Sequence, residues 1–296
     1  MIPMVRKVAI LYKGCNPKTR ECLQMLISEL SSRKIEVFLY SRNEDEVAPY
    51  REETISGLFS SLSEFTVKPD LIFSVGGDGT FLETAMVVGD TGIPIAGINT
   101  GRMGFLANIP NENIKQSVDL LCNEDFYVVN RSLLEIVRPE NIFGIDRALA
   151  LNEVTIQKTG FSMLNIHVYV NDEFLNTYWA DGIIISTATG STAYNLSVGG
   201  PILSPDDDSI VISPISPHHL TVRPLVLSGR NNLKIGIEGR VKEYLATCDF
   251  RSKNMRINEE IHIHIPDFKL KTVMLKKMTF FNTLRNRLMW GMDKRN

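Results

Sequence analysis

The chain has 296 residues, of which 44% are apolar and 22% charged, and its formal net charge is −2. That length and balance suit a globular protein with one large core or two ordinary ones, and the near-neutral charge gives no electrostatic reason to expect nucleic acid. No run approaches the roughly 20 apolar residues of a membrane helix, and MIPMVRKVAILYKG reaches Lys13 too early for a secretory signal. The expectation is a cytoplasmic protein without a membrane partner.

In chain order, KVAILYKG at 7–14 reads as a buried strand ending in glycine. TRECLQMLISELSSRK follows, with Leu23, Leu26, Ile27 and Leu30 at helical spacing. IEVFLYS predicts a second strand, EETISGLFSSLSEF at 52–65 a helix, and DLIFSVGG a third strand. FLETAMVVG continues as a helix and IPIAGIN as a strand. Such alternation predicts a Rossmann-like α/β domain, a parallel sheet covered on both faces, with ligands at the carboxyl ends of the strands.

From about residue 130 the rhythm changes. LLEIVRP, ALNEVTIQ, NIHVYV, DGIIIST, DSIVISPI, PLVLSG, LKIGIEG, EYLATC and IHIHI are short runs rich in Val, Ile and Tyr, with turns such as Asn171-Asp172 between them. Short strands without long helices predict an all-β, sandwich-like domain. The tail NTLRNRLMWGMDKRN reads as helix and is expected to return to the first domain. The expected division is an α/β domain over 1–130, completed by about 272–296, and a β-rich domain over 131–271.

Cys15, Cys22, Cys122 and Cys248 are scattered, with no CxxC, and read as free thiols in a reducing compartment. His262 and His264 alternate on one face of a strand and read as a solvent-facing pair. No metal-ligand cluster is expected from either set.

The densest punctuation is GGDGT, Gly76, Gly77, Asp78, Gly79 and Thr80, placed between a strand and a helix. Glycine turns of this type cradle phosphate with backbone N–H groups, yet here there is a carboxylate and no lysine. A second glycine-punctuated turn, TATGSTAYNLSVGGP, follows the strand DGIIIS, and Ser191 is placed to cap the short helix after it. Near it stand Asp181, Tyr194 and the pair Asn152-Glu153, groups that suit a polar, aromatic ligand with ribose hydroxyls.

GGDGT, Asn152-Glu153, Asp181-Gly182, TGSTAYNLSVGGPIL at 189–203 and PHHLTVRPLVL at 217–227, in this order, resemble the NAD kinases. GGDGT alone is shared with lipid kinases of the diacylglycerol and sphingosine type, and phosphofructokinases carry a near relative; the combination is specific. The resemblance implies transfer of the γ-phosphate of ATP to the 2′-hydroxyl of NAD's adenosine ribose. NAD and ATP are then the nucleotide substrates, Mg²⁺ accompanies ATP, and the protein is a homodimer or homotetramer. It implies that Asp78 accepts the hydroxyl proton; ligation of the metal and a turn contact to its own loop backbone are the alternatives. It further implies that Asn152 and Glu153 bind the adenine and ribose side and that Asp181 takes the carboxamide N–H donors. Thr192, Ala193, Tyr194 and Ser197, with Asn195 and Leu196 in the same turn, would line the adenine pocket. Phe105, in TGRMGFLA, would lie near the nucleotide. A lipid kinase and a non-catalytic dinucleotide sensor are the competing readings.

Four positions depart from the family pattern. Phe250 follows Asp249 where glycine is expected, and Trp179, Met163 and Met86 stand where basic residues are common. Losing three cations removes charge-assisted contacts to phosphate. Trp179 is a candidate either to stack near the nicotinamide end or to pack in the domain interface.

Overall fold

The structure is a computed structural model describing residues 5–14, 16–41, 55–101, 104–276 and 278–289. The first elements are β1 (Lys7–Tyr12), α1 (Pro17–Ser32), β2 (Glu36–Tyr40), β3 (Gly57–Phe59), β4 (Leu71–Gly76), α2 (Asp78–Val88), β5 (Ile95–Asn99), β6 (Ile109–Pro110), α3 (Ile114–Cys122) and β7 (Phe126–Arg131). Next come β8 (Leu134–Arg138), β9 (Ala148–Ala150), β10 (Glu153–Lys158), β11 (Leu164–Val170), β12 (Glu173–Ala180), β13 (Gly182–Ser186), α4 (Tyr194–Ser197) and β14 (Ile210–Ile215). The chain continues with β15 (Leu225–Leu227), β16 (Leu233–Glu238), β17 (Glu243–Cys248), β18 (Arg251–Arg256), β19 (Ile261–His264), β20 (Leu270–Leu275) and α5 (Phe280–Leu288). They form two compact units, one of residues up to Val129 together with Leu270 onward, the other Asn130–Lys269.

In the first unit the strands lie in the order β3-β2-β1-β4-β5-β20-β7, with β6 also on β5. β1 pairs in parallel with both β2 and β4, and β4 with β5. The chain therefore leaves β1 toward one edge and β4 toward the other, which makes their carboxyl ends the switch point where such sheets bind ligands. GGDGT stands there. The expected stripe of α1, Leu23, Leu26, Ile27 and Leu30, is buried against Val8, Ile10, Phe73 and Val75 of the sheet. Each such side chain contributes about 1.5–3 kcal/mol on leaving water. Asn16 caps α1 by accepting the Thr19 N–H at 2.9 Å, and Pro17 opens the helix.

The helix expected over 52–65 is not formed, and its first residues, 52–54, lie outside the described residues. Gly57–Phe59 is instead an edge strand paired in parallel with β2, followed by a 3-10 turn at Leu62–Glu64. Phe59 is buried against the ring of Phe65, with centroids 5.2 Å apart. The Glu64 carboxylate accepts from the N–H groups of Ser60 and Ser61, at 3.1 and 2.9 Å, and these local bonds replace helical ones. α3, β7, β18 and β20 have no counterpart in the sequence reading. The tail helix is α5, which follows β20 in the first unit; residues 290–296 lie outside the described residues.

The second unit is two six-stranded sheets, β15-β14-β13-β10-β17-β18 and β12-β11-β16-β19-β8-β9. Val154, Ile156, Ile183 and Ile185 from one pack with Ile136, Ile166, Val168 and Ile235 from the other in a single core. Among the described residues no helix is long and apolar enough to cross a membrane. Cys22, Cys122 and Cys248 are free thiols, while Cys15 lies outside the described residues. His262 and His264 share a half-buried face, with Nε2 3.4 Å from Glu260 and 3.2 Å from Glu135 respectively.

Candidate functional site

In the first unit the site is built by the turn between β4 and α2. Gly77 caps α2 without a side-chain bond, and Asp78 is the first helical residue. Gly77 and Gly79 are exposed, and a Cβ on either would meet open space. Gly76 and Thr80 are buried; a Cβ on Gly76 would lie 2.3 Å from Thr80 Oγ1, so these two shape the turn from beneath. The open side of the turn is thus lined by backbone and by Asp78.

Asp78 does not bond its own loop. Its Oδ2 accepts the N–H of Phe105 at 2.9 Å, and Oδ1 accepts those of Leu106 at 3.1 Å and Ala107 at 2.9 Å. The carboxylate therefore ties the segment after β5 to the start of α2. Gly104 makes room for it, since a Cβ there would sit 1.7 Å from Oδ1. Thr100 donates its N–H to the Gly76 carbonyl at 3.2 Å, a second tie between the same two segments. Phe105 is half-buried, and its backbone belongs to this clamp.

In the second unit, Asn152 and Glu153 lie where β9 gives way to β10. Asp249, in the tight turn between β17 and β18, grips them by accepting the N–H groups of Leu151 at 2.7 Å, Asn152 at 2.9 Å and Glu153 at 3.2 Å. The left-handed conformation of that turn falls on Asp249, with φ of 51°, and not on Phe250. The turn closes without glycine at 250 because aspartate tolerates this region better than a bulky residue does. From the other side, Thr187 donates Oγ1–H to the Leu151 carbonyl at 2.6 Å and its N–H to the Asn152 carbonyl at 2.9 Å. Gly190 lets the TGST turn approach, since a Cβ on it would lie 2.1 Å from the Asn152 oxygen. Thr187, Gly190 and Asp249 were absent from the sequence-derived site. The aspartate gave a signal through its resemblance to a family position, and Gly190 lies within the TGSTAY motif that carries the resemblance.

Two acids meet in this web. Burial pushes the Asp249 carboxyl up to about 6, although its three N–H donors and Arg251 pull it down. Burial, and secondly the charge of Asp249, pushes Glu153 up to about 8, against a lowering contact from the Tyr194 N–H. Glu153 Oε2 is buried and has no hydrogen-bond partner among the described residues. Glu153 holds its proton more tightly folded than unfolded. Its contribution to stability is therefore complete below the ordinary value of 4.5 and is lost as pH rises through about 8. Glu153→Gln removes this titration. The melting temperature of the variant relative to wild type should become more positive by several degrees between about pH 5 and pH 9. A difference that stays constant over that range would show that Glu153 is not buried with its proton.

The turn 189–197 differs in part from its sequence reading. Ser191 does not cap α4: it is buried, donates to the Ala188 carbonyl at 2.6 Å and accepts the Leu203 N–H at 3.0 Å. The cap position of α4 is Ala193, without a side-chain bond. Asn195 is buried as well. Its amide donates to the carbonyls of Ser191 and Pro201, at 3.2 and 3.1 Å, and accepts from Ser213 Oγ at 2.6 Å, so it locks the turn from inside. Thr192, Ala193 and Leu196 are half-buried, while Tyr194 and Ser197 are exposed.

Asp181 is not brought to this cluster. It precedes β13 at the end where Gly182 pairs with Gln157, whereas Ser186 pairs with Glu153 at the other end. Five residues of strand place it about 16 Å from Glu153. There it forms an ion pair with Lys158 at 2.6 Å. Trp179, on β12, is 40% exposed and stacks on His218, with ring centroids 4.2 Å apart. Met163 and Met86 are half-buried. Among the described residues no group of three or more His, Cys, Asp or Glu is placed to hold a metal ion.

A parallel sheet with GGDGT at its switch point, followed by a β sandwich presenting Asn152-Glu153 and TGSTAY, defines a kinase class distinct from P-loop enzymes. Residues 15–126 match the family described as the ATP-NAD kinase N-terminal domain, and residues 151–275 match the ATP-NAD kinase C-terminal domain. An NAD kinase of Cytophaga hutchinsonii is 44% identical over 77% of this chain and 78% of its own length. One of Christiangramia forsetii is 38% identical over 98% of this chain and 100% of its own. The fold matches that of a yeast NADH kinase solved with NADH, with a TM-score of 0.84 at 23% identity, covering 98% of this chain and 89% of that one. The chain belongs to the NAD kinase family, and its activity is the ATP-dependent phosphorylation of NAD.

Proposed function

We propose that Asp78 Oδ2 receives the proton of the ribose 2′-hydroxyl as the γ-phosphoryl group of ATP is transferred to that oxygen. The new bond joins O2′ to the γ-phosphorus, the bond from that phosphorus to the bridging β-oxygen breaks, and ADP leaves. The observation that carries this reading is the bonding of the carboxylate. An ionised carboxylate offers about four acceptor positions. N–H groups fill two on Oδ1 and one on Oδ2, which leaves one on Oδ2. Phosphoryl transfer passes through a loose transition state in most analyses, so a late proton transfer to a modest base suffices.

Gly77 and Gly79 let phosphate approach the start of α2, whose first N–H groups and dipole favour an anion. Mg²⁺ enters with ATP as part of the substrate and offsets the charge of the phosphates beside Asp78. Asn152, Glu153, Tyr194 and the half-buried face of 192–196 serve the adenosine. Asn195 supports that face from inside, and Asp181 serves the carboxamide. Phe105 borders the nucleotide on the segment Asp78 holds. The protein acts in the cytoplasm as a homodimer or homotetramer, with the edge strands of the two sandwich sheets available for association.

The direct assay supplies ATP, Mg²⁺ and NAD and measures NADP. Phosphorylated lipid in place of NADP would select the lipid-kinase reading, and binding without turnover the sensor. Trp179→Ala is expected to raise the Michaelis constant for NAD several-fold through loss of a stacking surface near the nicotinamide. An unchanged constant would confine Trp179 to its contact with His218.

A further inference from the structure

Glu153 differs from the other acids of the two clusters in what surrounds it. Asp78 and Asp249 each hold three backbone N–H groups. Among the described residues the Glu153 carboxyl accepts only the Tyr194 N–H from α4, and its Oε2 is buried with no hydrogen-bond partner. The charged group that faces it is Asp249, from the turn between β17 and β18, with Arg251 behind that aspartate. Two carboxyls in one poorly solvated region do not both ionise readily, and the proton stays on the one with fewer donors. Asp249 has three donors and a guanidinium nearby, so it is the anion. Glu153 then carries an O–H, and a buried O–H without an acceptor is unfavourable until something supplies one.

We propose that Glu153 works as a neutral acid, donating its carboxyl O–H to an acceptor atom of the bound dinucleotide, an adenine ring nitrogen or a ribose oxygen. This rests on the reading that Asn152-Glu153 faces the dinucleotide. The role differs from that of a carboxylate receiving a hydroxyl proton in two ways. It selects an acceptor on the ligand, and it adds no negative charge near the phosphates. Asp249 is the positioning residue: it orients Asn152 and Glu153 through their N–H groups, and its charge keeps the neighbouring proton in place.

The test is the affinity of the full-length protein for NAD, measured by calorimetry without ATP from about pH 6.5 to pH 9. Only the protonated form is competent, so the dissociation constant should rise about tenfold between pH 7 and pH 9, the carboxyl titrating near 8. At the alkaline end, binding should take up close to one proton, seen as a dependence of the heat on the buffer's ionisation enthalpy. Glu153→Gln should abolish both the pH dependence and the proton uptake, and Asp249→Asn should move the midpoint to lower pH. A flat wild-type profile, or one that persists in Glu153→Gln, overturns the neutral-acid role. Glu153→Ala, checked by its melting curve, separates the premise. If that variant binds NAD like wild type at every pH, the reading of Glu153 as a dinucleotide contact falls. If it binds weakly while the wild-type profile is flat, only the protonation is wrong.

Discussion

Asp78→Asn is expected to lower kcat by about 10²–10⁴-fold, the range for removing a positioned proton acceptor, with little change in the dissociation constant for NAD. The substitution is close to isosteric. With its oxygen in the Oδ1 position, asparagine still accepts the N–H groups of Leu106 and Ala107 and loses only the Phe105 bond. Its NH₂ then occupies the Oδ2 position, where the open acceptor was, and cannot take a proton. Single-turnover transfer from ATP to NAD isolates the step, and hydrogen exchange at 105–107 reports whether the clamp has loosened. Transfer at the wild-type rate would exclude Asp78 as the base. A slow variant whose exchange at Leu106 and Ala107 is unchanged would assign the loss to chemistry.

Gly104→Ala should be nearly as damaging, about 10²-fold in kcat, although it leaves the carboxylate in the chain. The effect comes from the space that the Asp78 carboxylate occupies beside Gly104. The added Cβ would lie 1.7 Å from Asp78 Oδ1 and 2.1 Å from its Cγ. Asp78 is the first residue of α2 and its carboxylate is held by three N–H groups, so it cannot yield without breaking them. Displacement of a reacting group by about 1 Å costs roughly 10²-fold. The double variant with Asp78→Asn should lose much less than the product of the two single losses, because both act on one group. Wild-type turnover in Gly104→Ala would mean that the place of the carboxylate is unimportant, and the proton-acceptor role would fall with it.

The parts of the fold legible in the sequence are those encoded by near neighbours. The α1 stripe at Leu23, Leu26, Ile27 and Leu30 is buried as its spacing predicts, because helical periodicity is a property of adjacent turns. The segment around Gly57 shows where such reading stops. Its composition admits a helix, but pairing with β2 and the burial of Phe59 favour a strand, and both depend on residues elsewhere in the chain. The Ser191 cap fails for a related reason. A hydroxyl just ahead of the helix expected at AYNLS suits a cap locally, but the helix begins only at Tyr194, and the Leu203 N–H beyond the turn and the nearby Ala188 carbonyl claim the hydroxyl in the folded protein.

By itself the sequence determined the chemical inventory: an α/β half followed by a β half, a glycine turn with a carboxylate in place of lysine, and an amide–acid pair near a hydroxyl-rich turn. Which groups those acids meet was decided only by the tertiary structure. Asp78 is held by N–H groups 27 to 29 residues away, and Asp249 reaches back 96 to 98 residues to the Asn152-Glu153 segment. The charge state of Glu153 follows from the same long-range packing. Burial and the number of hydrogen-bond donors set whether a carboxyl ionises, and both exist only once distant segments have closed around it.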